Sequence, residues 1–242
     1  MKLSTCFALL LAASLPAAAW ADESVTDEIS QYLSGQSIQL GAGYAQGTFK
    51  MSNSDGTTKT QITDNGRAAL ILDFTGSEHV IGKLPMKYGD AVLGFNIGGT
   101  YGHLSVDKQL NPLSSAIIGQ DLGSSANGNY LAAAPFVYLR LGPVYPNTDS
   151  YWLAGYGLGG ALFNFHGNPI FYTQTAPGTY LATSGPVSSG TKLFLYQTWR
   201  WQFHYGNWDV LFTAKQLSNR QVMGYNTSYE DYSIGFDYNF TF

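Results

Sequence analysis

The segment YSIGFDYNFTF, residues 232–242, ends the chain and decides the fold class. One set of alternate residues is apolar or aromatic: Tyr232, Ile234, Phe236, Tyr238, Phe240 and Phe242. The residues between them are small or polar: Ser233, Gly235, Asp237, Asn239 and Thr241. A period of two predicts a β-strand with one apolar face. A strand of a soluble sandwich alternates in the same way, but the length of the run, its aromatic content and the final Phe favour a face that meets lipid.

This tail resembles the C-terminal strand of bacterial outer-membrane β-barrel proteins. The resemblance implies that Tyr238, Phe240 and Phe242 form an assembly signal, and that the barrel-assembly machinery is a partner during biogenesis. The implied architecture is an all-β, closed antiparallel transmembrane barrel like the small barrels of the OmpA and OmpX type. It places the chain in the outer membrane of a Gram-negative cell, in contact with outer-membrane lipid and lipopolysaccharide.

The N-terminal region has the pattern of a secretory signal peptide. Lys2 precedes an apolar stretch from Phe7 to Leu15, and Ala19-Trp20-Ala21 offers small residues at the positions that a signal peptidase reads. We therefore expect residues 1–21 to be a signal peptide that directs export. Residues 22–35 are acidic and polar, and are expected to form a periplasmic leader, either as a short helix or without regular structure. Residues 36–242 are expected to form the barrel.

The composition agrees with a barrel and excludes several other classes of protein. Aromatic residues make up 15% of the chain, charged residues only 12%, and glycines number 28. No segment after the signal has 18 consecutive apolar residues, so no transmembrane helix is expected. The only cysteine, Cys6, leaves with the signal, and no cofactor or metal is expected. Loss of Lys2 leaves 11 basic and 16 acidic residues, which gives no electrostatic footprint for nucleic acid.

Alternation along the rest of the chain predicts seven further strands. They span residues 36–50, 62–75, 88–101, 129–142, 150–165, 191–205 and 207–217. With both chain ends in the periplasm, the extracellular connections are 51–61, 102–128, 166–190 and 218–228. The periplasmic connections are 76–87, 143–149 and the Gly206-Asn207 turn. Long outer loops and short inner turns are typical of this architecture, although 76–87 is long for an inner turn. An extra hairpin in 102–128 or 166–190 would give ten strands instead of eight.

The same alternation predicts a lumen with balanced charge. The inward residues are Arg67, Asp73, Asp90, Arg140, Arg200, Asp209, Lys215 and Asp237. Because buried charges are costly unless paired, this set predicts an internal ion-pair network, and a narrow ion path is the alternative. Arg200 or Lys215 is expected to pair with Asp237 or Asp209. Inward Gly155, Gly157 and Gly159 on the fifth strand, with Ala161, either leave a cavity or make room for Arg200, Tyr196 or Phe194.

Three classes of function follow from this fold. The first is a structural or surface-interaction role through long extracellular loops, where a ligand or surface partner could contact Tyr101, Tyr172, Tyr180 or Tyr225. The second is a narrow pore for small solutes. The third, a lipid-modifying enzyme, would need His103 and His166 at the external strand ends, with Ser105 and Asp107 close to His103. We favour the first class and predict no enzymatic activity.

Overall fold

The computed structural model describes residues 36–64, 66–87, 89–109, 117–118 and 124–241. The predicted signal peptide 1–21, leader 22–35 and terminal Phe242 lie outside these residues. The strands are β1 (Ser37–Ser52), β2 (Thr58–Thr63), β3 (Arg67–Thr75), β4 (His79–Met86), β5 (Gly89–Val106), β6 (Lys108–Gln109), β7 (Ile117–Ile118), β8 (Ala126–Gly142), β9 (Ser150–Gly167), β10 (Ile170–Ala176), β11 (Thr179–Ser184), β12 (Val187–Tyr205), β13 (Trp208–Val222) and β14 (Tyr225–Thr241). Across the described ranges, no helix is long and apolar enough to cross a membrane.

Eight of these strands form a closed antiparallel ring. The ring order is β1, β3, β5, β8, β9, β12, β13 and β14. β14 closes the ring by pairing with β1 along its whole length, from Ser37 opposite Thr241 to Ser52 opposite Asn226. The eight-stranded barrel predicted from the alternation is confirmed, and the ten-stranded alternative is wrong.

The remaining strands lie outside the ring and explain where the predicted boundaries differ. A hairpin of the kind that the ten-stranded alternative requires exists within 166–190 as β10 and β11, but β10 pairs with β2 above the barrel. The predicted strand 62–75 is interrupted because the Asp64 carboxylate accepts hydrogen bonds from the backbone N–H groups of Gly47 and Gly66. The long inner connection 76–87 contains β4, which pairs with β5. The connection between β13 and β14 is only a tight turn at Met223 and Gly224, both with positive φ.

The outer surface of the ring carries the apolar belt that the alternation predicts. Trp201 is 50% exposed on the outside of β12, whereas the next residue, Gln202, is 4% exposed and faces inward. Other apolar side chains exposed on the outside are Leu70, Phe74, Leu93, Phe95, Leu139, Trp152, Leu158, Leu195, Trp199, Phe212, Ile234 and Phe236. A continuous apolar exterior around a closed ring is the surface that a lipid bilayer covers.

The strands are strongly staggered. If the paired residues are followed once around the ring from Ser37, the register returns to β1 at Phe49, twelve residues further along. Stagger and strand tilt are linked in a closed barrel, and together with strand number they set its diameter. A large stagger gives a wide interior for eight strands, so large side chains are needed to fill it.

Candidate functional site: the lumen and the extracellular face

The half of the lumen next to the loop strands β2 and β10 is filled by an apolar plug. We call this half extracellular and the other half periplasmic, as the sequence predicts. We define the plug as Phe49, Tyr130, Phe163, Phe165, Phe194 and Tyr229, each of which is at most 1% exposed. The ring centroid of Phe163 lies 5.1 Å from that of Phe194 and 5.2 Å from that of Phe165. Phe165 lies 4.9 Å from Phe49. Aromatic pairs at such separations contribute about 0.5–1.5 kcal/mol each beyond the burial of their surface. Above the plug, Ile62 of β2 and Phe171 of β10 cover it from the loops.

A charged cluster lies below the plug and is centred on Asp73. The Asp73 carboxylate contacts the guanidinium of Arg200, and its second oxygen lies 3.7 Å from the Lys215 ammonium. The Lys215 ammonium also donates to the Thr100 hydroxyl at 3.0 Å, and the Arg200 guanidinium donates to the Gln39 side-chain oxygen at 2.9 Å. The side chain of Asp73 is 1% exposed. Among the described residues, Asp73 is therefore the one carboxylate within ion-pair distance of these two largely buried cations, and the buried Asp231 lies opposite Lys215 in the register of β13 and β14.

The expected partners of these cations, Asp209 and Asp237, lie elsewhere in the lumen. Asp209 is fully buried and accepts a hydrogen bond from His204 Nδ1 at 2.7 Å. Asp237 lies opposite Asp209 in the register of β13 and β14, and neither of its carboxylate oxygens has a hydrogen-bond partner among the described residues. The expectation that Arg200 or Lys215 pairs with Asp209 or Asp237 is wrong, because Asp73 projects between the two cations from the far side of the barrel.

Two further predicted lumen charges lie at the periplasmic rim, apart from the Asp73 cluster. Arg140 donates to Glu78 at 3.0 Å, and Glu78 also accepts a hydrogen bond from the Tyr138 hydroxyl. Asp90 pairs with Lys83 at 2.8 Å in a largely exposed position. The sequence offered no signal for Glu78, because it lies in a connection and not on an alternating strand.

Arg67 lies at the opposite, extracellular end of the lumen. Its guanidinium contacts the Asp64 carboxylate and donates to the Tyr229 hydroxyl at 3.0 Å and to the His103 carbonyl oxygen at 2.7 Å. Asp64 lies at the break between β2 and β3, where a strand was predicted. The eight predicted charges therefore form four groups along the lumen: the Asp73 cluster, Asp209 with Asp237, the two residues at the periplasmic rim, and Arg67.

The lumen opens toward the periplasm as a polar pocket of about 130 Å³. Gln39, Arg140, Arg200, Gln202 and Asn239 are among its lining residues. The apolar plug separates this pocket from the extracellular side. The structure thus shows a blind pocket in the periplasmic half of the barrel.

The inward glycines of β9 make room for an aromatic side chain, although not one of those expected. A Cβ atom on Gly155 would lie 2.5 Å from the Phe136 ring, and one on Gly157 would lie 2.9 Å from Thr198. Phe136 comes from β8, whereas Arg200, Tyr196 and Phe194 all come from β12. The Phe136 ring centroid lies 5.8 Å from the guanidinium carbon of Arg200, so the glycines allow this ring to cover the cation.

The extracellular connections are tied together as a small sheet. β2 pairs with β1 and β10, and β10 pairs with β11. Of the four loop tyrosines, Tyr172 is buried, Tyr225 stacks on Phe171 at 5.1 Å, and Tyr101 donates to Asn129 at 2.8 Å. Tyr180 is half-buried, with the Lys59 ammonium 6.0 Å from its ring centroid.

A cleft of about 730 Å³ lies at the extracellular ends of β13, β14, β1 and β2. Its lining residues are Lys50, Met51, Ser52, Lys59, Thr60, Gln61, Ser218, Asn219, Asn226, Thr227 and Ser228. The Lys50 ammonium pairs with Glu230 at 3.1 Å. Lys59 has no carboxylate within ion-pair distance among the described side chains. The cleft therefore combines hydroxyl and amide groups with a lysine that has no ion-pair partner in the described part of the chain.

The structure does not bring His103 and His166 together. They lie on β5 and β9, with β8 between them, so that His103 is opposite Asn129 and His166 is opposite Asn127. His103 Nδ1 lies 2.8 Å from the Asn129 side-chain oxygen, and the Ser105 hydroxyl donates to Asn127 at 3.0 Å. The side chains of His103 and Ser105 therefore each contact an asparagine of β8.

No protein-family model matches the chain, and no curated protein matches it. Several solved structures resemble it. The outer-membrane enzyme PagL is 14% identical, with 84% of this chain and 98% of that chain covered and a TM-score of 0.38. Ail, the attachment invasion locus protein of Yersinia pestis, is 12% identical, with 86% of this chain and 99% of that chain covered and a TM-score of 0.33. The outer-membrane protease OmpT from Escherichia coli is 8% identical, with 86% of this chain and 96% of that chain covered and a TM-score of 0.41.

The identity of the fold follows from the chain itself. Its strands close into a ring, its exterior is apolar, and its charged side chains are held inside or at the rims. This combination is what a lipid bilayer requires of a structure that crosses it with strands. The chain is an eight-stranded β-barrel of the outer-membrane class.

Proposed function

We propose that this protein is a sealed outer-membrane barrel that serves as a surface-interaction protein, with its extracellular sheet and cleft as the binding face. The apolar plug carries this proposal. An ion or polar solute that crossed the lumen would have to leave water and pass a close-packed aromatic layer, which is costly for any polar group. A narrow pore is therefore the less favoured function.

We expect the purified protein to show no stable, porin-sized conductance in planar lipid bilayers. The plug excludes water from the extracellular half of the lumen, so the polar pocket below it has no outlet. A large porin reconstituted in the same bilayers serves as the positive control. A reproducible open level of porin size from the unaltered protein would contradict the sealed lumen and favour the pore.

The cleft supports a ligand with negative charge and many hydroxyl groups. Lys59 supplies a positive charge, and Ser52, Gln61, Asn226 and Ser228 supply hydrogen-bonding groups around it. Because Lys59 lies on β2, which is paired on both edges with β1 and β10, its position is fixed by the sheet. An acidic polysaccharide at the cell surface is a ligand with this chemistry.

We expect Lys59→Gln to weaken the binding of dextran sulfate to cells that display the protein by about five-fold, which corresponds to about 1 kcal/mol. Uncharged dextran is the matched probe and should bind neither form. Lys192→Gln is the matched variant, because Lys192 is an exposed lysine on β12 that is not among the residues that line the cleft. Equal losses for the two variants would show that net charge, and not the cleft, governs binding.

A further inference from the structure

β4 has an unpaired edge at the periplasmic rim. It pairs with β5 on one side, and none of the other strands described pairs with its second side. All eight of its residues are exposed, including Val80 at 56%, Ile81 at 59% and Leu84 at 66%. An open edge with apolar side chains is a template for another strand, and proteins normally cover it.

The register of the ring indicates which strand would lie there. The edge of β3 that corresponds to the open edge of β4 is paired with β1. The pair of residues closest to β4 is Ser37 opposite Thr75. β4 starts after a three-residue break and runs on in the same direction as β3. If the register of β1 and β3 is continued past Ser37, residues 26–33 fall opposite His79–Met86. The chain therefore enters the barrel beside the open edge.

We propose that residues 26–33 of the same chain are the partner of the open edge of β4. The expected mature chain has residues 22–35 before the barrel, which at about 3.3 Å per residue is enough to span the eight residues of β4. Val25, Ile29 and Leu33 are spaced by four, so they share one face of a strand as well as one side of a helix.

Charge and local chemistry agree with this occupant. In this register Asp27 and Glu28 fall opposite Pro85 and Leu84, each within three residues of Lys83 and Lys87. The segment and the edge therefore carry opposite charges, and Lys83 also pairs with Asp90. Pro85 has no N–H to donate, so the pairing depends on the residues from His79 to Leu84. The irregularity between Val80 and Gly82 shifts the register of β4 against β5, and it permits a one-residue shift on the other side as well.

The proposal is tested by disulfide cross-linking in the full-length protein, assembled in outer membranes. The predicted mature chain contains no cysteine, so introduced cysteines are the only thiols. Leu84→Cys is combined in turn with Asp27→Cys, Glu28→Cys and Ile29→Cys, which covers the one-residue shift. We expect one combination to form at least ten-fold more intramolecular disulfide than the control pair Glu28→Cys with Asn207→Cys, whose second site lies in the turn between β12 and β13.

Other outcomes would overturn the proposal. Cross-linked dimers from Leu84→Cys alone would show that a second copy occupies the edge. Cross-linking no greater than the control in all three pairs would show that this segment lies elsewhere.

Amide hydrogen exchange gives a second measurement that needs no cysteine. Deletion of residues 26–33 should speed exchange at Val80–Leu84 by at least ten-fold and leave β12 unchanged, and equal rates in β4 would overturn the proposal.

Discussion

Asp73→Ala is expected to lower the free energy of unfolding by about 3–5 kcal/mol. The substitution removes the one carboxylate among the described residues that lies within ion-pair distance of Arg200 and Lys215. The buried carboxylate of Asp231 remains opposite Lys215 in the register of β13 and β14, but not within that distance. The Lys215 side chain is only 11% exposed, and that of Arg200 is 16% exposed in the wall of the polar pocket, so water can replace little of the lost interaction. The effect is measured by urea unfolding of the protein in lipid vesicles.

Asp90→Ala is the matched control for this experiment. Asp90 is also an inward acidic residue on a ring strand, but its partner Lys83 is 59% exposed. Exposed ion pairs contribute about 0–1 kcal/mol, so the loss should be small. A triple variant, Asp73→Leu with Arg200→Met and Lys215→Met, should recover most of the stability that Asp73→Ala loses. Equal losses for Asp73→Ala and Asp90→Ala would show that the buried cluster does not stabilise the barrel.

Phe163→Ala should destabilise the barrel by about 3–5 kcal/mol, measured in the same way. Phe163 is at the centre of the plug, where its ring contacts those of Phe165, Phe194 and Tyr130. Removing the ring leaves a cavity that the strands cannot close, because their spacing is fixed by the ladder of backbone hydrogen bonds.

Leu162→Ala is the control for the plug. Leu162 is the preceding residue on β9 and is 51% exposed on the lipid-facing side. Lipid chains can fill the space that the smaller side chain leaves, so the expected loss is less than half of that for Phe163→Ala. The opposite ranking would mean that β9 is shifted by one residue, which exchanges its two faces.

The face of each ring strand could be predicted from the sequence, and the pairing of charges across the lumen could not. Alternation assigns Trp201 outward and Gln202 inward because it depends only on neighbouring residues. Asp73 and Arg200 are 127 positions apart, and they meet only because the stagger of all eight strands brings them to the same height. Stagger is a property of the closed ring, and no single strand encodes it.

The extra strands were missed for a different reason. β4 and the pair β10–β11 have no alternation to separate them from loops, because all residues of β4 are exposed and the buried residues of β10, Ile170 to Tyr172, are consecutive. Their pairing depends on which edge the ring leaves free. Likewise, Gly155 and Gly157 were identified as space for a neighbour, but the choice of Phe136 over a side chain of β12 depends on rotamers that the sequence does not specify.

The plug also affects how the protein depends on its surroundings. A small barrel with a watery interior is kept round largely from outside, by the lateral pressure of the lipid and the girdle of interfacial side chains. Here the extracellular half has an inner apolar core as well, like the core of a soluble β-sandwich. That half should keep its shape when detergent replaces the bilayer. Loosening on extraction should therefore begin in the periplasmic half, where the interior is polar.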